Sequence, residues 1–250
     1  MSNDEYARGA WHDRWLVSME TEELERIGLT GQGRAIIEEL NRVYERTGIL
    51  RRFAKLLLAE ARAVFVRTQQ AVRLLDVGVR DGALLHLVAQ EASQEGIPLD
   101  LHGIEFREDI LAYAQQRCAA RGDHITPHHD STRVLAGLAE GSFDIVCSTF
   151  MLHHLTSEES ARLLANSSLI ARFSVVHLDL KRSLAGVALI WMFYSLFRHT
   201  LSRSDSVLSC RRAFKVRELK RLLGADSKCI RVHRVFPLYL MVERRIGSLQ

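Results

Sequence analysis

Cysteine is scarce and scattered in this chain: four residues in 250, Cys118, Cys147, Cys210 and Cys229, with no CxxC or Cys/His ligand pattern. That spacing excludes a disulfide framework and a zinc site as organising features, and it fits a reducing cytoplasm. No charge sign dominates. The 34 Lys and Arg against 30 Asp and Glu leave a net charge of +4 without a basic tract, so nothing points to nucleic acid. The N-terminal MSNDEYARGAW lacks a basic region followed by an apolar one, so no secretory signal is expected. The apolar stretch LAGVALIWMFYSLF, residues 184–197, is too short to span a bilayer comfortably. There is no internal repeat and no low-complexity tract. What remains, 47% hydrophobic and 26% charged, is the balance of an ordinary folded domain with an attachment.

Residues 20–66 carry amphipathic helical patterns and no convincing strand, with Gly48 as a break. Residues 1–70 therefore read as a helical extension or cap. From Val72 the period changes. VRLLDV, DLHGIE, HITPHH, FDIVCS and FSVVHLDL have strand length and alternate with helical segments, which predicts a parallel sheet covered by helices on both faces. EDILAYAQQRCAAR begins acidic, ends basic and stops at Gly122, as a helix should. Ser157, followed by Glu158 and Glu159, is expected to cap the next helix. Near the C-terminus, KVRELKRLLG reads as a helix and KCIRVHRVFPLYLMVE as two strands of a hairpin with Pro237 between them.

In an open α/β sheet, ligands bind beyond the carboxyl ends of the strands, and the first strand-to-helix turn is the usual anchor. Here that turn lies in RLLDVGVRDGALLHL, residues 73–87. Gly78 can supply a backbone conformation closed to other residues, and Gly82 can let the helix start approach a ligand. A dinucleotide fingerprint, G-x-G-x-x-G, would need glycine where Arg80 and Ala83 stand, so nicotinamide and flavin chemistry is disfavoured.

The turn instead resembles motif I of the class I S-adenosylmethionine (SAM) dependent methyltransferases, D-(V)-G-x-G-x-G. Asp76, Gly78 and Gly82 match, and Arg80 departs from the pattern. Glu105 in HGIEF lies 23 residues beyond Gly82, where the family carries an acid that accepts both ribose hydroxyls. Asp130 in HHDS matches the acid near the adenine amine, and SFDIVCSTFMLHHL is similar to the fourth strand and following loop of small-molecule members. The flanking segments, ELNRVYERTGILRRFAKLL upstream, VVHLDLKRS and LSCRRAFKVRELKRLL downstream, resemble a bacterial UbiE-like branch of methyltransferase-domain proteins that modify quinones and secondary metabolites.

The resemblance implies a Rossmann-like class I methyltransferase fold over residues 71–250. Its mainly parallel seven-stranded sheet would have a reversed last strand, with a helical lid insertion at 182–212. SAM would be the methyl donor and S-adenosylhomocysteine (SAH) the product. The cofactor site would comprise Asp76, Gly78, Arg80, Gly82, Glu105, Phe106, Asp130, Ser131 and Thr149. Arg80 would either pair with the ligand's carboxylate, turn outward to solvent, or occlude the site.

His124, His128, His129 and Asp130 look like a metal cluster, but residues four apart on a strand lie roughly 13 Å apart and neighbours face opposite ways, so no metal is expected. His153 and His154 follow the fourth strand and can either take a proton from a phenol or enol or pack the loop and orient SAM. Asp179 ends the fifth strand and points towards the site or caps the next helix. Residues 184–200 are expected to form a helix over the acceptor, with Trp191 and Tyr194 as substrate contacts; a buried helix and a membrane-surface contact are the other readings. The function expected is methylation of a small hydrophobic or aromatic acceptor at oxygen or carbon. The alternative is a methyltransferase-like partner module without turnover. Acceptor identity and oligomeric state are not legible.

Overall fold

The computed structural model describes residues 29–192, 200–224, 229–235 and 238–246. Two helices come first, α1 (Gly31–Thr47) and α2 (Ile49–Thr68). Thr30 caps α1 by accepting the Gly33 amide, and Gly48, in a left-handed conformation, ends it and turns the chain into α2. An alternating series follows: β1 (Val72–Val77), α3 (Ala83–Gln94), β2 (Leu99–Glu105), α4 (Glu108–Arg121), β3 (Ile125–His129), β4 (Phe143–Thr149), α5 (Ser157–Ile170) and β5 (Ala171–Leu180). Then come α6 (Leu184–Met192), α7 (Thr200–Arg212), α8 (Val216–Leu223), β6 (Arg231–Val235) and β7 (Tyr239–Arg245). The amphipathic pattern at 21–28 lies outside the described residues.

The seven strands form one sheet in the order β3-β2-β1-β4-β5-β7-β6. β1 to β5 are mutually parallel, and β7 runs antiparallel to both β5 and β6. The reversed strand predicted from the C-terminal hairpin is therefore β7, inserted between β5 and β6. Pro127 sits in β3, at the sheet edge, where its missing N–H removes no bond from a second neighbour.

Alternation along β1 shows how the layers arise. Val72 and Leu74 face a core with Phe53 and Leu57 of α2 and Leu85 of α3. Leu75 and Val77 face a second core with Leu163 and Leu164 of α5 and Leu219 of α8. Successive strand residues point to opposite faces, so an apolar run without alternation is what a doubly covered strand requires. α2, within the segment expected to be an extension, is thus part of the main helical layer. At α5 one expectation is corrected: Thr156, not Ser157, is the cap. The Thr156 hydroxyl accepts the Glu159 amide and the Glu159 carboxylate accepts the Thr156 amide at 2.7 Å, a reciprocal box.

No helix among the described residues is long and apolar enough to cross a membrane.

Candidate active site

Register brings the ends of four parallel strands to one edge: Val77 pairs with Ile104 and with Ser148, and Thr149 pairs with Leu178. Beyond that edge opens a cavity of about 1310 Å³, its mouth included. Gly78, Arg80, Glu105, Phe106 and Thr149 line one part; His153, His154, Leu180 and Ile190 line another. Tyr44 of α1 and Tyr239 of β7 also face it. A smaller recess beside the glycine turn is lined by Asp76, Gly78, Arg80, Asp81 and Thr149, among others.

The turn is built by backbone. The Gly78 and Val79 amides both donate to the Ile104 carbonyl, at 2.8 and 3.0 Å, which bends the chain away from β1. Gly78 has φ +77°, and a Cβ there would stand 2.8 Å from Met151 Sδ. Gly82 has φ +73°, and a Cβ there would meet Cys118 Sγ at 2.4 Å. The need for glycine at 82 is therefore packing of α3 on α4; Gly82 does not line the cavity.

Glu105 is buried, and its carboxylate accepts the Phe106 amide at 2.8 Å and the Arg80 amide at 3.2 Å. Burial raises its pKa against the opposing effect of those two amides. Asp76 is buried more deeply, accepts a weak bond from Cys147 Sγ at 3.8 Å, and is pushed well above the usual carboxylate range by burial, with Arg80 pulling the other way. Arg80 adopts φ +54°, unusual for a side chain larger than glycine. Its guanidinium turns inward, not to solvent. It lies 5.1 Å from the centroid of the Tyr44 ring and donates, at 3.4 Å, to Asn41 Oδ1.

Asp130 and Ser131 stand apart from the cavity lining. The Asp130 carboxylate holds its own loop, accepting the Thr132 amide at 2.8 Å, the Thr132 hydroxyl and the Leu135 amide at 2.7 Å. Ser131 is exposed. Trp191 is 59% exposed and outside the lining, although its neighbour Ile190 is inside it. Tyr194 lies outside the described residues.

His153 and His154 sit in a 3-10 turn directly after β4. His153 Nδ1 is 2.6 Å from Asp179 Oδ1 at the end of β5, and both side chains are buried. The same carboxylate also accepts the amides of Leu152 and Leu180, each at 2.6 Å, so it fixes the loop as well as the ring. The His154 ring lies over that of His153, centroids 4.2 Å apart. Away from the cavity, His102 and His128 approach to 3.0 Å on adjacent strands. No group of three metal-ligating side chains that could hold an ion occurs among the described residues.

Tyr44, Asn41 and Tyr239 were not legible as site residues. Ile36, Leu40 and Tyr44 recur at helical spacing, which reads as a core-facing stripe, and Ile36, Leu40 and Tyr44 do face inward, but onto the cavity. Phe150, at φ +56°, links the two tyrosines: its ring stacks on Tyr44 with centroids 4.7 Å apart and lies tilted against Tyr239 at 5.8 Å.

Residues 74–173 match a family model described as a methyltransferase domain. Among solved structures, a SAM dependent methyltransferase from Aquifex aeolicus is 18% identical, with a TM-score of 0.50 over 70% of this chain and 82% of that one. The plantazolicin methyltransferase BpumL in complex with SAH is 14% identical, with a TM-score of 0.60 over 88% and 92%. Magnesium protoporphyrin IX methyltransferase (ChlM) from Synechocystis PCC 6803 with bound SAH is 18% identical, with a TM-score of 0.53 over 97% and 97%. The fold is that of the class I methyltransferases. No curated protein matches the sequence. Within the methyltransferase fold, the strand order β3-β2-β1-β4-β5-β7-β6 puts the topological switch between β1 and β4, where the cavity opens.

Proposed function

We propose that the protein is a SAM-dependent methyltransferase whose acceptor is a small hydrophobic or aromatic molecule, of the kind made in quinone or secondary-metabolite biosynthesis. The observation that carries this reading is the single cavity that runs from the Gly78–Arg80 turn and Glu105 to His153 and Ile190. One end offers a glycine-formed recess and a buried acid; the other offers aliphatic and aromatic side chains with an imidazole. The residues fit the donor: the Glu105 carboxylate, held by two amides at the edge of the cavity, has acceptor capacity left for a vicinal diol.

SAM, when bound, supplies an activated methyl group. The chain's own task is then alignment and exclusion of water. Ile36, Leu40, Ile190 and Leu238 give the acceptor an apolar wall. Asp179 fixes the His153 ring beside the cavity through Nδ1, where an imidazole can serve as base to an acceptor hydroxyl or acidic C–H. The two solved neighbours held with SAH support the choice of donor. Incubation of the purified protein with methyl-labelled SAM and a panel of phenols, quinols and enolisable ketones tests the proposal. Label transfer to one chemical class is expected; SAM binding without transfer to any acceptor would favour the partner-module alternative.

A further inference from the structure

α7 packs against α6, against α1 and against the 3-10 turn that carries His153 and His154, which places it at the acceptor half of the cavity. Contacts at its C-terminal end fix it there. Arg212 donates to the His154 carbonyl at 3.0 Å, and Arg182, which follows β5, donates to the Ala213 carbonyl just past the helix at 3.1 Å. Cys210 stands so close to α6 that a Cβ at Gly186 would meet its Sγ at 2.9 Å.

A helix held over an apolar cavity is expected to turn an apolar stripe inward. α7 does so only towards α6, where Val207 and Cys210 pack with Val187 and Ile190. Towards the cavity it presents Asp205, Ser206 and Ser209. Asp205 is 5% exposed and Ser209 8%, and residues four apart share one helix face. Packing alone does not favour an acid at such a wall, where desolvation is costly. What the acid adds is negative charge and acceptor oxygens beside the ligand's space.

The charges around that space are sorted. The arginines of the lining, Arg80, Arg107 and Arg133, come from the turns after β1, β2 and β3, on the donor side. Among the described residues, no lysine or arginine of α6, α7 or β7 lines the cavity. The acceptor half is aliphatic and aromatic, with Asp205 as its acid.

We propose that Asp205 and Ser209 form a subsite on α7 for a hydrogen-bond-donating group of the acceptor, an ammonium most strongly and a hydroxyl less so. The acceptor is then amphipathic: α7 holds its polar end, the apolar wall holds its body, and its reactive atom faces the methyl donor. This deepens the reading of the cavity as a methyltransferase active site and rests on it. The role of Asp205 is choice of acceptor, distinct from the base role given to His153.

The test titrates three probes of one shape, benzylamine, benzyl alcohol and toluene, into SAH-saturated protein near neutral pH, with binding read by saturation-transfer NMR. SAH covers Glu105, so the acid left in the cavity is the one on α7. Wild type should bind benzylamine about tenfold more tightly than toluene, as a charge-assisted bond allows, with benzyl alcohol between them. Asp205→Asn should bring benzylamine down to the level of benzyl alcohol, and Asp205→Leu should make toluene the tightest of the three. SAH affinity should stay within about twofold in both variants. Equal binding of the three probes by wild type overturns the subsite, as does an ammonium preference that survives in Asp205→Asn. Absence of binding by all three at about 5 mM also overturns it. In each of these cases SAH binding leaves the SAM reading standing. If folded wild type does not bind SAH, that reading falls, and the same comparison on the ligand-free chain, with its dependence on Asp205, decides the subsite separately. If Asp205→Leu does not fold, the wild-type order and Asp205→Asn decide.

Discussion

Asp179 Oδ1 lies 2.6 Å from His153 Nδ1, joining the end of β5 to the loop after β4 in a buried pair of which His153 borders the cavity. The carboxylate orients the ring and also satisfies the amides of Leu152 and Leu180. Asp179→Asn keeps the shape but replaces one acceptor oxygen by a donor. Turnover with an identified acceptor should fall by about tenfold or more, with KM changed little and SAH affinity within about twofold. Asp179→Ala should cost about 2–3 kcal/mol of stability in urea unfolding, because buried amides lose their acceptor. Equal turnover by the Asn variant and wild type would remove His153 from the chemistry.

Glu105 has two jobs that substitution can separate. Glu105→Gln retains an oxygen for the Phe106 and Arg80 amides, so the turn should survive, whereas the bonds offered to a ribose diol lose their charge. SAH binding should weaken by roughly 1.5–3 kcal/mol in Glu105→Ala and by less in Glu105→Gln. Calorimetry with circular dichroism as a fold control distinguishes them.

Acid should weaken the protein through a buried histidine of β5. His177, fully buried on β5, shares a 2.8 Å bond with Ser148, and burial lowers its pKa to about 4 although Asp179 pulls it upward. The unfolded chain binds this proton near pH 6.5, and the folded one only near 4. The stability contributed by the neutral ring is present above the unfolded value and is lost as pH falls from about 6.5 towards 4, to a total of about 3 kcal/mol. His177→Gln should remove that slope. Asp76 and Glu105, whose pKa values burial raises, titrate with the opposite sign. The check is therefore the difference in urea stability between wild type and variant across that range.

Gly82→Ala should destabilise for two separable reasons, a left-handed φ of +73° and a Cβ 2.4 Å from Cys118 Sγ. The double variant Gly82→Ala/Cys118→Ala removes the second. The double variant should keep only the backbone cost of about 1–2 kcal/mol, plus the small loss from trimming Cys118. Additive losses in the double-mutant cycle would show that the contact is relaxed without strain.

Much of the architecture is legible because its causes are local. Runs such as VRLLDV and FDIVCS are apolar on both faces, as doubly covered strands must be, and glycines at 48 and 122 end helices in the left-handed conformation. Asp76, Gly78, Arg80, Glu105, Phe106, Thr149, His153 and His154 all border the cavity or its recess. The unforeseen part depends on pairing across distance. His153 meets Asp179 because β4 and β5 align Thr149 with Leu178, a register no local pattern encodes. Tyr44 meets Arg80 only once α1 lies across the strand ends. Asp130 has a second task that its place in the sequence does not disclose, since its carboxylate also holds its own loop.

The central claim is that the cavity holds a methyl donor of the SAM type, and the most direct measurement is calorimetric titration of the purified wild-type chain with SAH. One saturable site per chain is expected, with affinity in the micromolar range, about −8 kcal/mol, and weaker in Glu105→Ala. No heat of binding at about millimolar SAH, from a protein shown to be folded, would contradict it.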